Sequence, residues 1–417
     1  MNFALIGDAP QLMPVLRAVA NSSEHRITHA ISPNTETAQL LSQCFSGVQI
    51  LSSWEELLNG SNVEAILAAG HEPSTLEGVK HLVSSGKALF LIPEIAQDSA
   101  WIYEMSLIRD DTNADLIPVF PLRWHPSVQK LRSLISQQKI GRILHLQFER
   151  ECQVECQQNA TPLLPVKDLD ELLLCDIDLM RWIGGEYNRI TALHSTAAED
   201  RVTLATVNLS SSHLTEGDAL PEATWSARPV TTTSKWVFRV VGEQGTYTLS
   251  SSQPTPEEAE TTEATITLEG PDAINVSELE SCFADTFLEQ ISAENRDCTW
   301  TDITRDFELV EAAARSIRRR RTIDIHFEAT SERSQFKTQM TAIGCGLITM
   351  TLVSVIFLLI INAMFDLHPL VMKIARIGVF VPLILFLFLQ LLLFISRPSR
   401  SANRQEPQDS KPSPEKT

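Results

Sequence analysis

Glu171 and Cys175 are the side chains whose types and spacing could do acid–base chemistry, a carboxylate and a thiol four residues apart. In a helix this spacing places both on one face. A thiol has an ordinary pKa of about 8.5, and a neighbouring carboxylate raises it, so Cys175 would be a weak base and a weak nucleophile. Two interpretations stay open, a rearranged catalytic group and a small buried apolar side chain, and the residue types favour the second.

The N-terminus carries a short apolar strand at residues 3–6, a turn that starts at Gly7, and an amphipathic run from Leu12. Strand, glycine turn and helix form the context of the dinucleotide-binding pattern G-x-G-x-x-G. Gly7 and Asp8 open that pattern, whereas Ala9 and Leu12 replace its second and third glycines. The second glycine lets the backbone approach a pyrophosphate and the third lets helix and strand pack closely, so both replacements are expected to weaken binding.

Five further segments follow one another along the chain: VEAILAAGHEPSTLEGVKHLVSSG (63–86), PLRWHPSVQKLRSLISQQKIGRILHLQF (121–148), CDIDLMRW (175–182), WVFRVVGEQGTYTL (236–249) and FELVEAAARSIRRRRTIDI (307–325). In order and spacing they resemble the glucose-fructose oxidoreductase/inositol dehydrogenase (Gfo/Idh/MocA) family, and the likeness covers roughly residues 1–325. Each match alone is weak, but the five together predict the fold of that family.

The resemblance implies two acid–base positions, and both are altered. In the family a Glu-Lys-Pro triplet closes the nicotinamide pocket, and its lysine transfers a proton beside the hydride. The matching segment here is GKALFLIPEIA, which puts Pro93 at the lysine and Glu94 after it. A proline ring can neither donate a proton nor carry a positive charge. The family's Asp and His, four residues apart, correspond to Glu171 and Cys175.

The resemblance also implies NAD or NADP as the cofactor. Ser32 ends the second strand, where an acid would hold the ribose hydroxyls, and Glu72 and Glu94 would bring carboxylates toward an anionic dinucleotide. The positions that the likeness assigns to cofactor binding are Gly7, Asp8, Ala9, Leu12, Ser32, Gly70 and Glu94.

Net charge and cysteine content limit the kinds of partner and metal site that the sequence predicts. The chain has a net charge of −18, and the acidic excess lies before residue 340, which disfavours a nucleic-acid partner. Seven cysteines without a C-x-x-C pair indicate reduced thiols. Cys152 and Cys156 lack a second ligand pair at zinc spacing, so no metal site is predicted.

The C-terminal part predicts a membrane anchor. Residues 342–365 and 377–395 contain no charged residue over 24 and 19 positions, and about 20 apolar residues suffice to span a bilayer. Basic residues flank the pair on both sides: Arg318–Arg321, Arg333, Lys337, Arg397, Arg400 and Arg404. This bias predicts a cytoplasmic (inner) membrane protein with both termini and the soluble domains in the cytoplasm. The four-arginine run could bind anionic lipid or simply end a helix.

The predicted architecture is α/β. Residues 1–119 are expected to form a doubly wound Rossmann-type domain, and 120–330 an α/β domain with an open, mostly antiparallel sheet. A linker at 331–339, two transmembrane helices at 340–396 in contact with the lipid bilayer, and a disordered tail at 397–417 complete the chain. Because the second domain's sheet often forms the dimer surface in the family, a homo-oligomer is expected.

Three functions compete. The first, which the loss of both acid–base groups favours, is a membrane-anchored pseudoenzyme that acts as a binding or scaffold module. The second is an active NAD(P)-dependent oxidoreductase on a sugar or polyol-like substrate with rearranged acid–base residues, for which His71 and His125 are the nearby imidazoles. The third is a structural membrane partner whose Rossmann half binds nothing.

Overall fold

A computed structural model describes residues 1–8, 12–31, 35–45, 47–58, 62–154, 161–198, 200–211, 220–252, 265–271, 298–325 and 349–361, with residues 289, 378 and 379. The chain divides into two compact units, Met1–His326 and Phe327–Thr417. Both sheets described below belong to the first unit.

The first sheet is parallel, with strand order β3-β2-β1-β4-β5-β6. Its strands are β1 (Asn2–Gly7), β2 (Arg26–Ile31), β3 (Gln49–Leu51), β4 (Ala65–Ala69), β5 (Ala88–Leu91) and β6 (Leu116–Pro118). The helices α1 (Leu12–Ala20), α2 (Thr35–Cys44), α3 (Pro73–Val83) and α4 (Ser99–Thr112) connect them. β4 is apolar and buried along its whole length, as a strand covered on both faces must be. This order is that of a doubly wound dinucleotide-binding fold, so the Rossmann-type prediction is confirmed.

The second sheet is mixed, with order β14-β13-β12-β7-β11-β10-β9-β15, and β8 also pairs with β10. Its strands are β7 (Ile143–Gln153), β8 (Leu164–Pro165), β9 (Arg189–Ala198), β10 (Arg201–Ser210), β11 (Glu222–Val230), β12 (Lys235–Gly242), β13 (Gly245–Ser252), β14 (Thr265–Glu269) and β15 (Ile323–Asp324). Among the described strands, β7 and β11 are the parallel pair and the other pairs are antiparallel, which confirms the mostly antiparallel prediction. Alternate residues of β12 are buried, as expected for a sheet that is packed on one face.

Three helices belong to this second half: α5 (Pro126–Ser136), α6 (Val166–Gly184) and α7 (Trp300–Arg319). The α6 helix carries two buried acids that fix it to its surroundings. Asp176 accepts hydrogen bonds from Arg150 of β7 at 2.5 and 2.6 Å and from the Trp225 indole at 2.8 Å. Asp178 pairs with buried Arg123, which comes just before α5. These acids therefore hold the helix to the sheet and to the preceding loop.

The arginine run at 318–321 ends α7, with Arg318 and Arg319 in its last turn and Arg320 in the left-handed conformation that closes it. Cations at this position interact favourably with the helix dipole. This geometry accords with the helix-end interpretation of the run.

Of the second unit, residues 349–361 form a helix that exposes a series of large apolar side chains: Met350, Leu352, Val353, Ile356, Phe357, Leu359 and Ile360. Within the described part of the chain, no helix has both the length and the apolar character needed to cross a membrane. Most of the two predicted spans, the linker and the tail at 397–417 lie outside the described residues. The transmembrane hairpin therefore stays a prediction.

Candidate functional site

A cleft of about 690 Å³ lies where the carboxyl ends of β4 and β5 face α6 and the strands β7 and β12. In open parallel sheets this edge, at the point where the strand order reverses, is where ligands bind. The residues that line the cleft include His71, Ile95, Arg150, Cys152, Lys167, Glu171, Lys235 and Trp236. Of the candidate acid–base residues that the sequence predicts, Glu171 and His71 line the cleft.

Gly7 ends β1 and Gly70 directly follows β4, and both adopt conformations that require glycine. Their φ angles are +75° and +91°. A Cβ atom on Gly7 would lie 2.0 Å from the Ala69 carbonyl oxygen, and one on Gly70 would lie 2.6 Å from the Asp8 carbonyl oxygen. The two strand ends therefore approach each other too closely for any side chain, which preserves the tight turn expected of the fingerprint's first glycine.

The rest of the fingerprint is occupied by other interactions. Leu12 is fully buried in the core beneath the sheet, together with Leu5 and Leu67. A packed leucine side chain therefore occupies the position of the third fingerprint glycine. The Asp8 carboxylate accepts a hydrogen bond of 3.0 Å from the Thr37 hydroxyl of α2. Ala9 and Ser32 lie outside the described residues, and their predicted roles stay predictions.

Glu94 follows Pro93 and is fixed as the cap of the short 3₁₀ turn Ile95–Gln97. Its backbone N–H donates to the Gln97 side chain at 3.1 Å, while the Gln97 amide donates to the carbonyls of Gly70 and Ile92. One Glu94 carboxylate oxygen lies 2.8 Å from His71 Nδ1. Burial raises the pKa of Glu94, the His71 hydrogen bond opposes this, and nearby Glu171 adds to it.

Glu171, at the family's acid position, contacts the backbone of the nucleotide half. Its carboxylate accepts a hydrogen bond of 2.8 Å from the Ile95 N–H, which ties α6 to the segment after β5. One turn later, Cys175 is not among the residues that line the cleft. Although Cys175 is only half-buried, desolvation strongly raises the pKa of its thiol, and Glu171 and Asp176 raise it further while Arg150 opposes them. The thiol is therefore protonated at neutral pH and unsuited to act as a base.

Two other residues considered from the sequence, His125 and Cys152, are a helix cap and an unreactive thiol. His125 caps α5, its Nδ1 accepting the Ser127 N–H at 3.2 Å, and burial lowers the pKa of this imidazole to about 4. Cys152 lines the cleft, and burial raises the pKa of its thiol to about 11. Cys156 lies outside the described residues.

Sequence reasoning missed several residues that line the cleft, among them Arg150, Lys167 and Lys235. Arg150 is neutralised by Asp176, and Lys235 lies 3.0 Å from Glu151. Trp236 stacks on Phe148 with 5.4 Å between the ring centroids and forms part of the apolar wall. Strand alternation could have placed Arg150 and Trp236 on the helix-facing side of their strands, but it could not show that both border one cleft.

A dinucleotide of the kind that the fold implies would lie across the ends of β1, β4 and β5. The Gly7 turn fits such a group. The charge of the described side chains is less favourable, because Glu171 and Asp8 both raise the pKa of Glu94, which indicates acidic groups near one another at this edge. These carboxylates would repel an anionic pyrophosphate there. Residues 9–11 of the turn and Ser32 lie outside the described residues, so weak binding of NAD or NADP stays a prediction.

No protein-family model matches the chain. It is similar to the trans-1,2-dihydrobenzene-1,2-diol dehydrogenase of Xenopus laevis, at 23% identity over 126 residues that cover 30% of this chain and 38% of that protein. The enzyme of the same name from Xenopus tropicalis is 22% identical over 191 residues, which cover 43% of this chain and 57% of that protein. The two matches thus span about two fifths and just under three fifths of these relatives' lengths.

Solved structures cover far more of the chain. A myo-inositol dehydrogenase from Corynebacterium glutamicum superposes with a TM-score of 0.59 at 17% identity, covering 79% of this chain and 99% of that one. An oxidoreductase from Agrobacterium radiobacter, solved in complex with NAD+, L-tartaric acid and magnesium, gives 0.57 at 16% identity over 78% and 98% of the two chains. The protein therefore has the fold of the Gfo/Idh/MocA-type oxidoreductases, as its sequence segments predict.

Proposed function

We propose that this protein is a pseudoenzyme of the Gfo/Idh/MocA-type fold, a binding or scaffold module that holds a small polar ligand in its cleft without hydride transfer. The observation that carries the proposal is the state of the two acid–base positions. Pro93 has no titratable group, and the Cys175 thiol lies outside the cleft with a strongly raised pKa. General acid–base help from these two positions is therefore lost.

The contacts of Glu171 and Leu12 support the same conclusion. Glu171 keeps the family's carboxylate but uses it to bind the Ile95 N–H, a contact that stabilises the junction of the two sheets. Leu12 fills the space that a fingerprint glycine leaves open. Residues that would serve cofactor and substrate have thus become parts of the packing, while the cleft itself is retained.

A dinucleotide titration of the full-length protein in mild detergent tests this proposal. Millimolar NAD+ or NADP+ should raise the free energy of unfolding by less than about 1 kcal/mol, whereas a site with micromolar affinity would raise it by about 4 kcal/mol at a thousandfold excess. Thermal shift and intrinsic fluorescence report the change. Polyols and sugars should produce no reduced nicotinamide, and turnover of any of them that Cys175→Ala abolishes would refute the proposal.

A second candidate is an active NAD(P)-dependent oxidoreductase on a sugar or polyol-like substrate, and the contact between His71 and Glu94 favours it. This imidazole borders the cleft at the carboxyl end of the first sheet, the edge at which such folds bind ligands. Reduced nicotinamide formed by the unmodified protein, and lost in His71→Gln but kept in Cys175→Ala, would establish this alternative over the first.

We further propose that residues 340–396 anchor the protein in the cytoplasmic membrane as a two-helix hairpin. Two uncharged stretches of spanning length support this, as does the helix at 349–361, whose large apolar side chains are exposed in the isolated chain. Water disfavours such a surface, and lipid tails would cover it. The flanking cations favour cytoplasmic termini. Homo-oligomer formation stays a prediction.

Topology labelling checks the anchor. In sealed, right-side-out cells, tags on Met1 and Thr417 should resist impermeant reagents, while a cysteine introduced by His368→Cys should be labelled. The physical reason is that His368 belongs to the short segment between the two uncharged stretches, on the side with fewer basic residues. Thr417→Cys is a matched control, and its labelling in intact cells would overturn this topology.

A further inference from the structure

We propose that His71, held by Glu94, is a proton-transfer group and that the cleft catalyses proton exchange at the carbon next to a ligand carbonyl without any nicotinamide. This activity goes beyond the proposed binding function: it involves proton exchange alone and leaves the proposed loss of hydride transfer unchanged. It rests on a pair of side chains that the family's acid–base positions do not include, and on the cleft that this pair borders.

The geometry leaves one nitrogen of the imidazole for a ligand. His71 lies two residues after the end of β4 and lines the cleft, with 55% of its side chain exposed, whereas Glu94 is 10% exposed. Its Nδ1 lies 2.8 Å from the Glu94 carboxylate. When Nδ1–H donates to a carboxylate, the neutral ring carries its lone pair on Nε2. His71 then presents a basic nitrogen, and Glu94 is a positioning residue that sets the tautomer.

Glu94 can hold the ring in place because it is itself fixed. The Gln97 side chain accepts the Glu94 N–H and donates to Gly70 and Ile92, so it closes the turn on both sides. Gln97 is 1% exposed. A base with a locked orientation acts without reorganisation during proton transfer, which is what catalysis requires.

The opposite wall carries Lys167 beside the acids Asp168 and Glu171, so its positive charge is local to the Lys167 ammonium group. Lys167 lies in the first turn of α6, one turn before Glu171, and both residues line the cleft. Arg150 is less suited to this role, since it makes two hydrogen bonds to Asp176. An ammonium group and the start of a helix both stabilise negative charge that develops on a ligand oxygen.

The step balances without an oxidant. His71 Nε2 takes a proton from the carbon beside the carbonyl of an α-hydroxy ketone or aldehyde. The C–H electron pair forms a carbon–carbon double bond, and the C=O pair moves to oxygen, giving an enediolate opposite Lys167. Return of a proton from the imidazolium to carbon restores the carbonyl and the neutral imidazole. In D2O the returned proton is a deuteron.

The test uses the full-length protein in mild detergent with dihydroxyacetone in D2O, followed by NMR loss of the CH2 signal. The unmodified protein should exchange deuterium faster than buffer, and His71→Gln should reduce the protein-dependent rate by about a hundredfold or more. Glu94→Gln should lower kcat with little change in KM, because it alters ring orientation rather than ligand contact. Added imidazole should partly restore the rate in His71→Ala, a recovery that a purely structural role would not give.

His81→Gln is the matched control, because His81 is stacked on Trp54 at 4.6 Å and does not line the cleft. It should exchange at the unmodified rate. Exchange at the buffer rate by the unmodified protein overturns the inference, as does full activity in His71→Gln with a normal melting temperature. Neither result affects the proposed binding function, which dinucleotide titration and hydride transfer test separately.

Discussion

Replacing Asp178 with asparagine should lower the free energy of unfolding by about 3–5 kcal/mol, because it leaves the Arg123 guanidinium buried without its charged partner. The two side chains are 2% and 1% exposed, and Arg123 Nε donates to Asp178 at 2.7 Å beside a second hydrogen bond from the same guanidinium. Asparagine keeps the shape of the side chain and removes its charge. Asp302, at 3.6 Å from Arg123, is the acid left to compensate in part.

Urea unfolding of the full chain in detergent, monitored by tryptophan fluorescence, measures the loss. Asp168→Asn is the control, since Asp168 is exposed in the first turn of the same helix and should change stability by no more than about 0.5 kcal/mol. Equal losses in the two variants would contradict a buried pair. They would show instead that α6 responds to the removal of charge in general.

Much of this framework follows from sequence. The buried runs of β1 and β4, the glycine that ends β1, and the later segments at family spacing together predict the doubly wound sheet and the second sheet. The sequence also indicates that Asp176 and Asp178 are paired, because two acids in an otherwise apolar helical segment need buried cations. The sequence does not say which arginines these are, since Arg150 and Arg123 lie 26 and 55 residues away.

The contacts that decide the chemistry were harder to predict. Sequence placed Glu171 and Cys175 on one helix face, and the structure places only Glu171 on the cleft, with its carboxylate on a backbone N–H 76 residues away. Glu94 was predicted as a charge near the cofactor, whereas it caps a turn and contacts His71, 23 residues away. The Glu171 contact depends on how the two sheets meet, and the Glu94 contact depends on how the ends of the neighbouring strands β4 and β5 align. No periodic pattern within one element encodes either contact.

The sequence names His71 as a candidate residue but does not assign it a role. Its imidazole was a candidate from the sequence alongside His125, and the two could not be separated by type or spacing. Structure separates them, because His125 is committed to the Ser127 N–H at the start of α5 while His71 borders the cleft. Local helix signals could have identified the His125 cap, since Pro126 follows it at the first helical position.

Restoring the third fingerprint glycine by Leu12→Gly should lower the free energy of unfolding by about 2–6 kcal/mol. Removing a buried leucine side chain costs about 2–5 kcal/mol, and glycine in place of alanine in a helix adds up to about 1 kcal/mol. Leu12 is fully buried against the core beneath the first sheet. Leu107→Gly, on the half-exposed surface of α4, is the matched control and should lose only about 1 kcal/mol in the same urea titration.

This expected loss of stability limits any attempt to restore dehydrogenase activity by mutation. Pro93→Lys and Cys175→His supply the missing groups, but the glycine that would open the dinucleotide turn removes part of the core that holds α1 on the sheet. The triple variant should therefore unfold at a lower urea concentration than the unmodified protein. A stabilising change elsewhere would have to accompany it before hydride transfer could be measured. If Leu12→Gly instead unfolds no more easily than Leu107→Gly, then Leu12 is not a core residue, and the turn could be reopened without loss of the fold.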